Sequence, residues 1–323
     1  MFNPLEQSIL VTLAYYNALR WPLTALEVLQ RRVPTQHNES SVEIGSIIDA
    51  LDTLAGRGAI AAHSGLYWIG SLNADGVANR VTRESLSADV WPQVLRSAWW
   101  LQAVPMVRMI AGSGSLAMGS SGASSDWDVF VVVEKGRLYT ARFGLLVVAF
   151  LMGRLRTKSM RTAPRRFCFN HIITTDGLSL KHRSVFTAHV IAWLVPFYDP
   201  WKYASRLADA NRWTREYVAE TSTRAFNRRA VKSSFVLSGV RRLFEAILRT
   251  WIGGMLERLL RFWMQRRISA DPSTNAKGGR IVANDRELEF HPRSFEGVAL
   301  QRFNSTLRSL GLGAYVQYDS GLR

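Results

Sequence analysis

A short apolar run that opens with two aspartates constrains the fold of this chain more than any other feature. Residues 129–133 are four valines and a phenylalanine, preceded by Asp126 and Asp128. β-Branched and aromatic residues favour strands, and an apolar run of this length indicates a strand covered on both faces. Because side chains two positions apart on a strand point to the same face, we expect both carboxylates to lie side by side at the mouth of a buried strand.

A second motif precedes this strand and supplies a different kind of group. Gly114 and Ser115 follow a predicted apolar strand at 106–111. Glycine lets backbone N–H groups approach a phosphate closely, and serine adds a hydroxyl donor. Two adjacent carboxylates repel each other unless a cation lies between them, and Mg²⁺ accepts carboxylate oxygens while keeping positions open for water and phosphate. Together the motifs predict a site for a nucleoside triphosphate (NTP) with Mg²⁺ or Mn²⁺ on Asp126 and Asp128.

Helix and strand patterns alternate between residues 80 and 200, which is typical of an α/β domain. We expect this domain to be built on a small mixed sheet. The predicted elements, in chain order, are a helix at 86–101, strands at 106–111 and 127–133, a helix at 136–156 and a strand at 167–174.

Residues 1–72 predict a separate helical unit that is closed by a hairpin. Thr24 and Glu27 form a capping box at the start of the second predicted helix. A third helix is predicted over 40–56, followed by a hairpin over 59–69. Three helices followed by a hairpin are typical of a winged helix.

The charge of the third helix argues against DNA recognition by this unit. Winged helices commonly place that helix in the major groove. Here it carries Glu43, Asp49 and Asp52, and residues 40–56 contain no lysine or arginine. Phosphates repel such a helix, and it lacks the donors that base recognition needs. We therefore expect the winged helix to make a protein contact rather than to read DNA.

Positive charge is concentrated outside the N-terminal unit. The formal net charge of the chain is +16. Residues 1–72 hold four lysines and arginines against six aspartates and glutamates, whereas residues 201–268 hold fifteen against five. An excess of this size implies an anionic partner, which could be nucleic acid, a nucleotide or an acidic membrane surface.

The C-terminal region, 201–323, is predicted to be mainly helical. The predicted elements are helix throughout 201–268, a turn-forming linker at 269–280, a short strand at 281–282 or 288–290, and a final helix near 295–310.

Two basic segments each allow more than one interpretation. Residues 153–166 hold six lysines and arginines and no acid, so they either bind phosphates or form a solvated loop. In residues 240–268, apolar pairs recur at helical spacing with arginines between them. This stripe either packs into the core or lies on an anionic membrane as a peripheral contact. We expect 153–166 and 201–268 to provide the surface for an RNA or other nucleic acid acceptor.

Cysteine content and hydropathy indicate a cytoplasmic protein. Cys168 is the single cysteine, so no intrachain disulfide can form. The first residues show no basic segment followed by an apolar one, which a secretory signal would require. The longest apolar run, at 143–153, is too short to cross a bilayer.

The spacing of the two site motifs resembles that of the DNA polymerase β-like nucleotidyltransferases. Members of that superfamily carry Gly-Ser, a spacer and then Asp-x-Asp within an apolar strand. Here Gly114-Ser115 is followed by ten residues and then by Asp126-Trp127-Asp128. The resemblance implies that Asp126 and Asp128 bind the catalytic metal and that Gly114 and Ser115 bind the nucleotide.

A bacterial group in that superfamily, which joins a winged helix to a minimal nucleotidyltransferase domain, is similar over most of residues 10–215. The similarity lies in the segments PLT at 22–24, GSLAM at 114–118, RFCFN at 166–170 and FTAH at 186–189. It implies an α+β chain with a winged helix at 1–72, a nucleotidyltransferase domain at 80–200 and a helical region at 201–323.

One position departs from the superfamily pattern. These enzymes carry a third carboxylate on a later strand, where it helps to deprotonate the attacking hydroxyl and binds a second metal. The residue expected there is Asn170, whose amide oxygen ligates a metal weakly and cannot act as a base. His171 and Asp176 are alternatives, although His171 is expected on the opposite face of the strand.

Two functions are consistent with these features. In the first, the chain is a Mg²⁺-dependent enzyme that transfers a nucleoside monophosphate from an NTP to an acceptor hydroxyl, with RNA as the favoured acceptor. In the second, which Asn170 favours, the fold has lost catalysis and acts as a nucleic-acid-binding or scaffold module. The intact pair Asp126 and Asp128 favours the enzyme, because a lapsed site has no need of two repelling charges.

Overall fold

The computed structural model describes residues 2–35, 42–70, 74–157, 160, 162–219, 229–275, 279–291 and 294–315. Over these residues the chain is an α+β protein with one small sheet and one larger mixed sheet. The helices are α1 (Pro4–Ala18), α2 (Ala25–Arg31), α3 (Ile44–Gly56), α4 (Ala74–Ala98), α5 (Gly114–Met118), α6 (Leu138–Leu151), α7 (Val185–Ala192), α8 (Tyr203–Ala210), α9 (Phe235–Leu248), α10 (Trp251–Ser269) and α11 (Glu296–Ser309). The strands are β1 (Leu23–Thr24), β2 (Ala61–His63), β3 (Leu66–Trp68), β4 (Val107–Gly112), β5 (Trp127–Val133), β6 (Phe167–Thr174), β7 (Val195–Tyr198), β8 (Arg280–Ala283) and β9 (Glu287–His291).

The first three helices and a three-stranded antiparallel sheet, in the order β1-β3-β2, form the N-terminal unit. The predicted capping box of α2 is confirmed. Thr24 Oγ1 accepts a hydrogen bond from the Glu27 N–H at 3.2 Å, and the Thr24 N–H donates to Glu27 Oε2 at 3.0 Å. α3 begins at Ile44, later than predicted, because Glu43 is extended. The earlier predicted start at residue 40 lies outside the described residues.

A six-stranded mixed sheet in the order β7-β4-β5-β6-β9-β8 carries the predicted site residues. Among its described strand pairs, β5 and β6 are parallel and the others are antiparallel. β5 is buried on both faces, as predicted. Its odd-numbered valines pack on one face, and Phe130 and Val132 pack on the other. This two-sided burial fixes the register of β5 and therefore the positions of Asp126 and Asp128.

The central elements have the predicted types but several have different bounds. α4 begins at Ala74, and the chain then forms a 3-10 helix at Trp99–Ala103. α6 ends at Leu151, and Gly153 then takes a φ of +65°, which turns the chain away from the helix. The edge strand β7 has no counterpart in the prediction.

The C-terminal region corrects the prediction of continuous helix over 201–268. Its described part holds α8, a 3-10 helix at Arg212–Glu216, and then α9 and α10 as separate helices. Gly253 explains the break, because a Cβ at this position would lie 1.9 Å from the Leu248 carbonyl oxygen. Two strands form where one was predicted, and β8 and β9 extend the central sheet beside β6.

α11 packs into the core of the N-terminal unit. Leu300, Phe303 and Leu307 belong to the same buried cluster as Leu13. The Phe303 ring meets the Tyr15 ring edge to face, with 5.9 Å between the centroids. α1 and α11 therefore share one core.

The apolar stripe predicted over 240–268 faces solvent along most of its length. Leu248 and Leu260 are buried, but Trp251 is 75% exposed and Leu259 is 64% exposed. The interpretation of this stripe as core is therefore wrong for most of its residues. Within the described ranges, no helix has the length and apolarity needed to cross a bilayer.

Candidate metal centre

Asp126 and Asp128 lie together at the start of β5, as their spacing predicts. Asp126 precedes the strand and Asp128 is its second residue, and both are half-buried. One oxygen of each carboxylate and the Cys168 Sγ lie within 4.8 Å of one another. Carboxylate oxygens at this separation can share one hard divalent cation.

The parallel register of β5 and β6 brings Cys168 to the pair. Asp128 stands opposite Cys168, just as Trp127 stands opposite Phe167. No local sequence pattern indicates this contact, because the register between strands so far apart in the chain depends on tertiary packing. Cys168 was therefore missed as a site residue.

Gly114 lies directly against the Asp128 carboxylate. Its φ is +53°, a region that favours glycine. A Cβ at this position would lie 3.1 Å from Asp128 Oδ2. The preceding Ser113 N–H donates to the Asp128 carbonyl oxygen at 3.0 Å, which ties the turn after β4 to β5. The predicted Gly-Ser turn and the predicted carboxylates therefore meet at one point.

Ser115 lies in the short helix α5, one residue after that contact. Its Oγ is 3.5 Å from Ser121 Oγ, and α5 ends at Met118, followed by Gly119, whose φ is +73°. The first N–H groups of a helix have no acceptor within it. Those at Gly114 and Ser115 are consequently suited to bind a phosphate close to the carboxylates.

Asn170 contacts the Asp128 carboxylate through its amide nitrogen. Nδ2 donates to Asp128 Oδ1 at 2.9 Å. A third metal ligand at this position would have to present an oxygen, and Asn170 presents a donor. The geometry confirms that Asn170 reaches the site, but as a hydrogen-bond donor to Asp128.

The prediction that His171 lies on the face of β6 opposite to Asn170 is wrong. The register between β5 and β6 shifts, so that Phe130 pairs with His171 while Asp128 pairs with Cys168. The ring of His171 packs on the ring of Phe130 with 4.7 Å between centroids, on the sheet face that Asp128 also occupies. The shift lets both Asn170 and His171 lie on one face, which strict alternation forbids.

Asp176 lies at the other end of β6 and takes no part in the site. Its carboxylate is 3.6 Å from Lys135 Nζ and 3.5 Å from Arg286 Nε, and it accepts a hydrogen bond from the Thr174 hydroxyl at 2.7 Å. Asp176 is therefore not a substitute for the missing third carboxylate.

Arg156, from the basic segment 153–166, extends its guanidinium into the site. Nη1 donates to Asp126 Oδ2 and lies 3.3 Å from Cys168 Sγ. This contact confirms that the segment lies beside the carboxylates. It also pairs Asp126 with a positively charged side chain, so a metal would have to compete with Arg156 for the Asp126 Oδ2 oxygen.

The electrostatics of the site disfavour additional negative charge. Burial raises the pKa of Asp128 to about 7, and the neighbouring Asp126 adds to this, although Arg156 and hydrogen bonds from Cys168 and Asn170 oppose it. Burial, followed by Asp128 and Asp126, raises the pKa of the Cys168 thiol to about 12. The thiol is therefore protonated at neutral pH. A cation would relieve the repulsion at Asp128.

A cavity of about 280 Å³ is lined in part by Gly114 and Ser115. Arg83 and seven aromatic side chains are among the residues that line it; the aromatic ones are Tyr15, Tyr16, Trp21, Phe186, His189, Trp193 and Phe295. Burial lowers the pKa of His189 to about 3, so this imidazole is neutral, and its Nδ1 lies 2.9 Å from the Tyr16 hydroxyl. The cavity suits a flat, largely uncharged group such as a nucleobase.

A second cavity, of about 560 Å³, lies at the opposite end of β4 and is lined by five arginines. Arg108 and Arg241 both approach the ring of Trp201, with 4.8 and 4.6 Å from guanidinium to ring centroid. Glu134 and Glu245 neutralise part of this charge. The remaining positive charge suits a phosphate group.

Another set of metal-binding residue types lies on β6 and β9, where His171, Glu287 and Glu289 place ligand atoms within 4.8 Å of one another. These groups already have partners. His171 Nε2 is 3.1 Å from Glu287 Oε1, and Arg280 Nε donates to Glu289 at 2.5 Å. Ion pairing within the sheet accounts for this cluster without a metal.

Comparisons of the chain with protein-family models, with curated proteins and with solved structures found no match. The assignment of a function therefore depends on the geometry of the site.

Proposed function

We propose that the chain is a metal-dependent nucleotidyltransferase with its active site at Asp126 and Asp128. One observation carries the proposal. The backbone of Gly114 lies so close to Asp128 that a Cβ would come within 3.1 Å of Oδ2. A phosphate-binding turn and a metal-binding pair of carboxylates therefore adjoin each other, as the binding of a metal–triphosphate complex requires.

Each residue has a distinct role in this proposal. Asp126 and Asp128 would hold Mg²⁺ or Mn²⁺, and Gly114 and Ser115 would hold the triphosphate through backbone N–H groups and the Ser115 hydroxyl. The metal supplies charge neutralisation at the phosphates. The acceptor oxygen forms a bond to the α-phosphorus, the bond to the β-phosphate oxygen breaks, pyrophosphate leaves and the hydroxyl proton passes to solvent. Asn170 would orient Asp128 through its amide donor and is not a base.

A nucleic acid acceptor, RNA in particular, fits the charge of the chain. Arg156 extends from the segment 153–166 to the Asp126 carboxylate, and Arg154 lies over the ring of Trp127. The arginine-lined cavity offers a second phosphate site. The remaining part of the predicted acceptor surface, 201–268, suits this role less well, because α9 and α10 expose apolar side chains.

Transfer of label from each of the four α-³²P NTPs to total RNA tests the proposal, with Mg²⁺ or Mn²⁺ present. The control is the double variant Asp126→Ala/Asp128→Ala. We expect label in RNA with the wild type and none with the variant. Label that is equal in both proteins would contradict the proposal, and a single active NTP would identify the substrate.

A lapsed enzyme that serves as a nucleic-acid-binding or scaffold module is the second candidate. The contact of Arg156 with Asp126 and Cys168 favours it, because a permanent guanidinium counter-ion would replace the metal. Asn170 favours it as well, since it supplies no third carboxylate. This candidate predicts binding of RNA that is steeply salt-dependent and unaffected by Mg²⁺.

For the N-terminal unit we propose a winged helix that is used for packing and protein contact. Its third helix exposes Asp49 and Asp52, and the exposed Glu43 directly precedes it; these acids disfavour DNA. Its first helix is covered by α11 and contacts α7 through Tyr16 and His189.

A further inference from the structure

The two helices α9 and α10 present their apolar residues to solvent. Of the 24 large hydrophobic side chains exposed among the described residues, twelve lie on these two helices. Monomeric proteins rarely expose so many apolar side chains in one segment without a partner. A partner surface is therefore implied at this place in the fold.

The exposed apolar residues form a stripe on each helix. On α9, Val236, Val240, Leu243 and Ile247 recur at intervals of four, three and four, which aligns them along one face of a helix. The buried face of α9 instead includes Arg241 and Glu245. α9 therefore presents its apolar stripe to solvent, and this stripe is not part of the core.

α10 repeats this arrangement and adds aromatic residues. Ile252, Met255, Leu259 and Phe262 follow one face, and Trp251 and Trp263 are exposed beside them. Tryptophan is enriched where proteins meet the headgroup region of a bilayer. α10 packs against α9 and against α6.

The exposed charges of the two helices are all positive. Arg242, Arg249, Arg258, Arg261, Arg266 and Arg267 are exposed. The two acids point inward instead. Glu245 accepts from the Met106 N–H and Arg108, and Glu257 accepts from the Tyr139 and Thr140 N–H groups.

We propose that α9 and α10 dock on the surface of an anionic lipid bilayer, with their apolar stripes in the headgroup boundary and their arginines on lipid phosphates. Apolar stripes flanked by arginines, with no exposed acid on either helix, match this partner. Arg261 is paired with Asp285, which lies between β8 and β9, at 3.0 Å. A second copy of the chain fits less well, because a two-fold interface would bring these arginines against one another. Nucleic acid satisfies the arginines but leaves the apolar stripes in water.

Flotation with vesicles tests the proposal on the full chain. The vesicles are phosphatidylcholine with about 30% phosphatidylglycerol, and phosphatidylcholine alone. The apolar variant is Trp251→Ser/Leu259→Ser, and the matched control is Leu26→Ser/Val81→Ser, which removes two apolar side chains that are 50% and 60% exposed on other helices. Arg258→Gln/Arg266→Gln tests the charge. Circular dichroism and thermal unfolding verify that each variant is folded.

We expect the wild type and the control to float with anionic vesicles. We expect the partition coefficient of the apolar variant onto these vesicles to fall by about tenfold or more. The arginine variant should lose its preference for the anionic vesicles. A wild type that stays with the soluble fraction overturns the proposal. So does vesicle binding that both variants retain. A dimer in sedimentation velocity that Trp251→Ser/Leu259→Ser abolishes, without vesicle binding, overturns it in favour of a second copy.

Discussion

At the start of β5, the Asp128 carboxyl accepts a hydrogen bond from Asn170 and lies against the backbone of Gly114. A carboxylate oxygen of Asp126 and the Cys168 Sγ lie within 4.8 Å of it. Burial and Asp126 raise the pKa of Asp128 to about 7. In the unfolded chain the pKa of this group is at its ordinary value of 3.8, so between about pH 4 and pH 7 the folded state binds the additional proton. The free energy of unfolding therefore falls as pH rises through this window, and the loss is complete above pH 7.

Asp128→Asn should consequently stabilise the metal-free protein at pH 8. The amide cannot ionise, so the variant avoids a penalty of at least about 1 kcal/mol. We expect a higher midpoint of thermal unfolding than the wild type at pH 8 in chelator, and equal midpoints near pH 4. The control is Asp49→Asn on the exposed face of α3, which should change neither. A variant less stable than the wild type at pH 8 would contradict this electrostatic argument.

Gly114→Ala should impair the site beyond the cost of backbone strain. A Cβ there meets Asp128 Oδ2 at 3.1 Å, whereas Gly119 has a similar positive φ and nothing within 4 Å. Both substitutions to alanine should cost about 1–2 kcal/mol in unfolding free energy. Only Gly114→Ala should also weaken binding of Mn²⁺ and NTP, measured by calorimetry. Equal binding by the two variants would show that Gly114 does not shape the site.

Arg156→Ala should strengthen Mn²⁺ binding. The guanidinium donates to Asp126 and competes with a metal for the same carboxylate, so its removal should raise the affinity roughly tenfold, about 1.4 kcal/mol. The control is Arg154→Ala, whose guanidinium faces the Trp127 ring at 5.7 Å. Unchanged affinity in Arg156→Ala would contradict competition between Arg156 and the metal, and weaker affinity would show that Arg156 assists the metal complex.

At the scale of single residues, the sequence predicts the site residues that a short motif identifies. It misses a residue that reaches the site through the pairing register of two strands. Asp126, Asp128, Gly114 and Ser115 stand out by type and spacing alone. Cys168 reaches the site only because β6 runs parallel to β5 in one particular register.

At the scale of elements, helix and strand types follow from apolar periodicity, whereas bounds and breaks depend on packing. Residues 240–268 have an uninterrupted helical period, yet α9 ends at Leu248 and α10 begins at Trp251. The register shift that turns His171 to the face of Asp128 is likewise invisible in the pattern of β6. The local sequence predicts that an element forms, and packing against neighbouring elements determines where it breaks or shifts in register.

Gly253→Ala tests the break between α9 and α10. Its Cβ would lie 1.9 Å from the Leu248 carbonyl oxygen, whereas nothing lies within 4 Å of a Cβ at Gly254. We expect Gly253→Ala to lower the unfolding free energy by about 3 kcal/mol or more. Gly254→Ala should be neutral or stabilising by up to ~1 kcal/mol. Equal stabilities in chemical denaturation would argue for a continuous helix.

At the scale of the whole molecule, the chain closes on itself. β8 and β9 complete the central sheet, and α11 returns to cover α1. Patterns within 1–72 and 295–310 each predict helices but not their contact, because a pairing between chain ends has no local signature.

The substitution Phe303→Ala tests how much the packing of α11 against α1 contributes to stability. The ring is buried against Tyr15, and its loss should cost about 3–5 kcal/mol. Val298→Ala, on the exposed side of the same helix, should stay within about 0.5 kcal/mol. If Phe303→Ala unfolds in urea with the wild-type midpoint, α11 does not contribute to the N-terminal core.

The most direct test of the proposed site is calorimetric titration of a non-hydrolysable NTP analogue, with and without Mn²⁺, into the wild type and Asp126→Ala/Asp128→Ala. If a metal–triphosphate complex binds at these carboxylates, the analogue binds the wild type only with Mn²⁺ and does not bind the variant. Binding that needs no metal, or that survives in the variant, would contradict the assignment of Asp126 and Asp128.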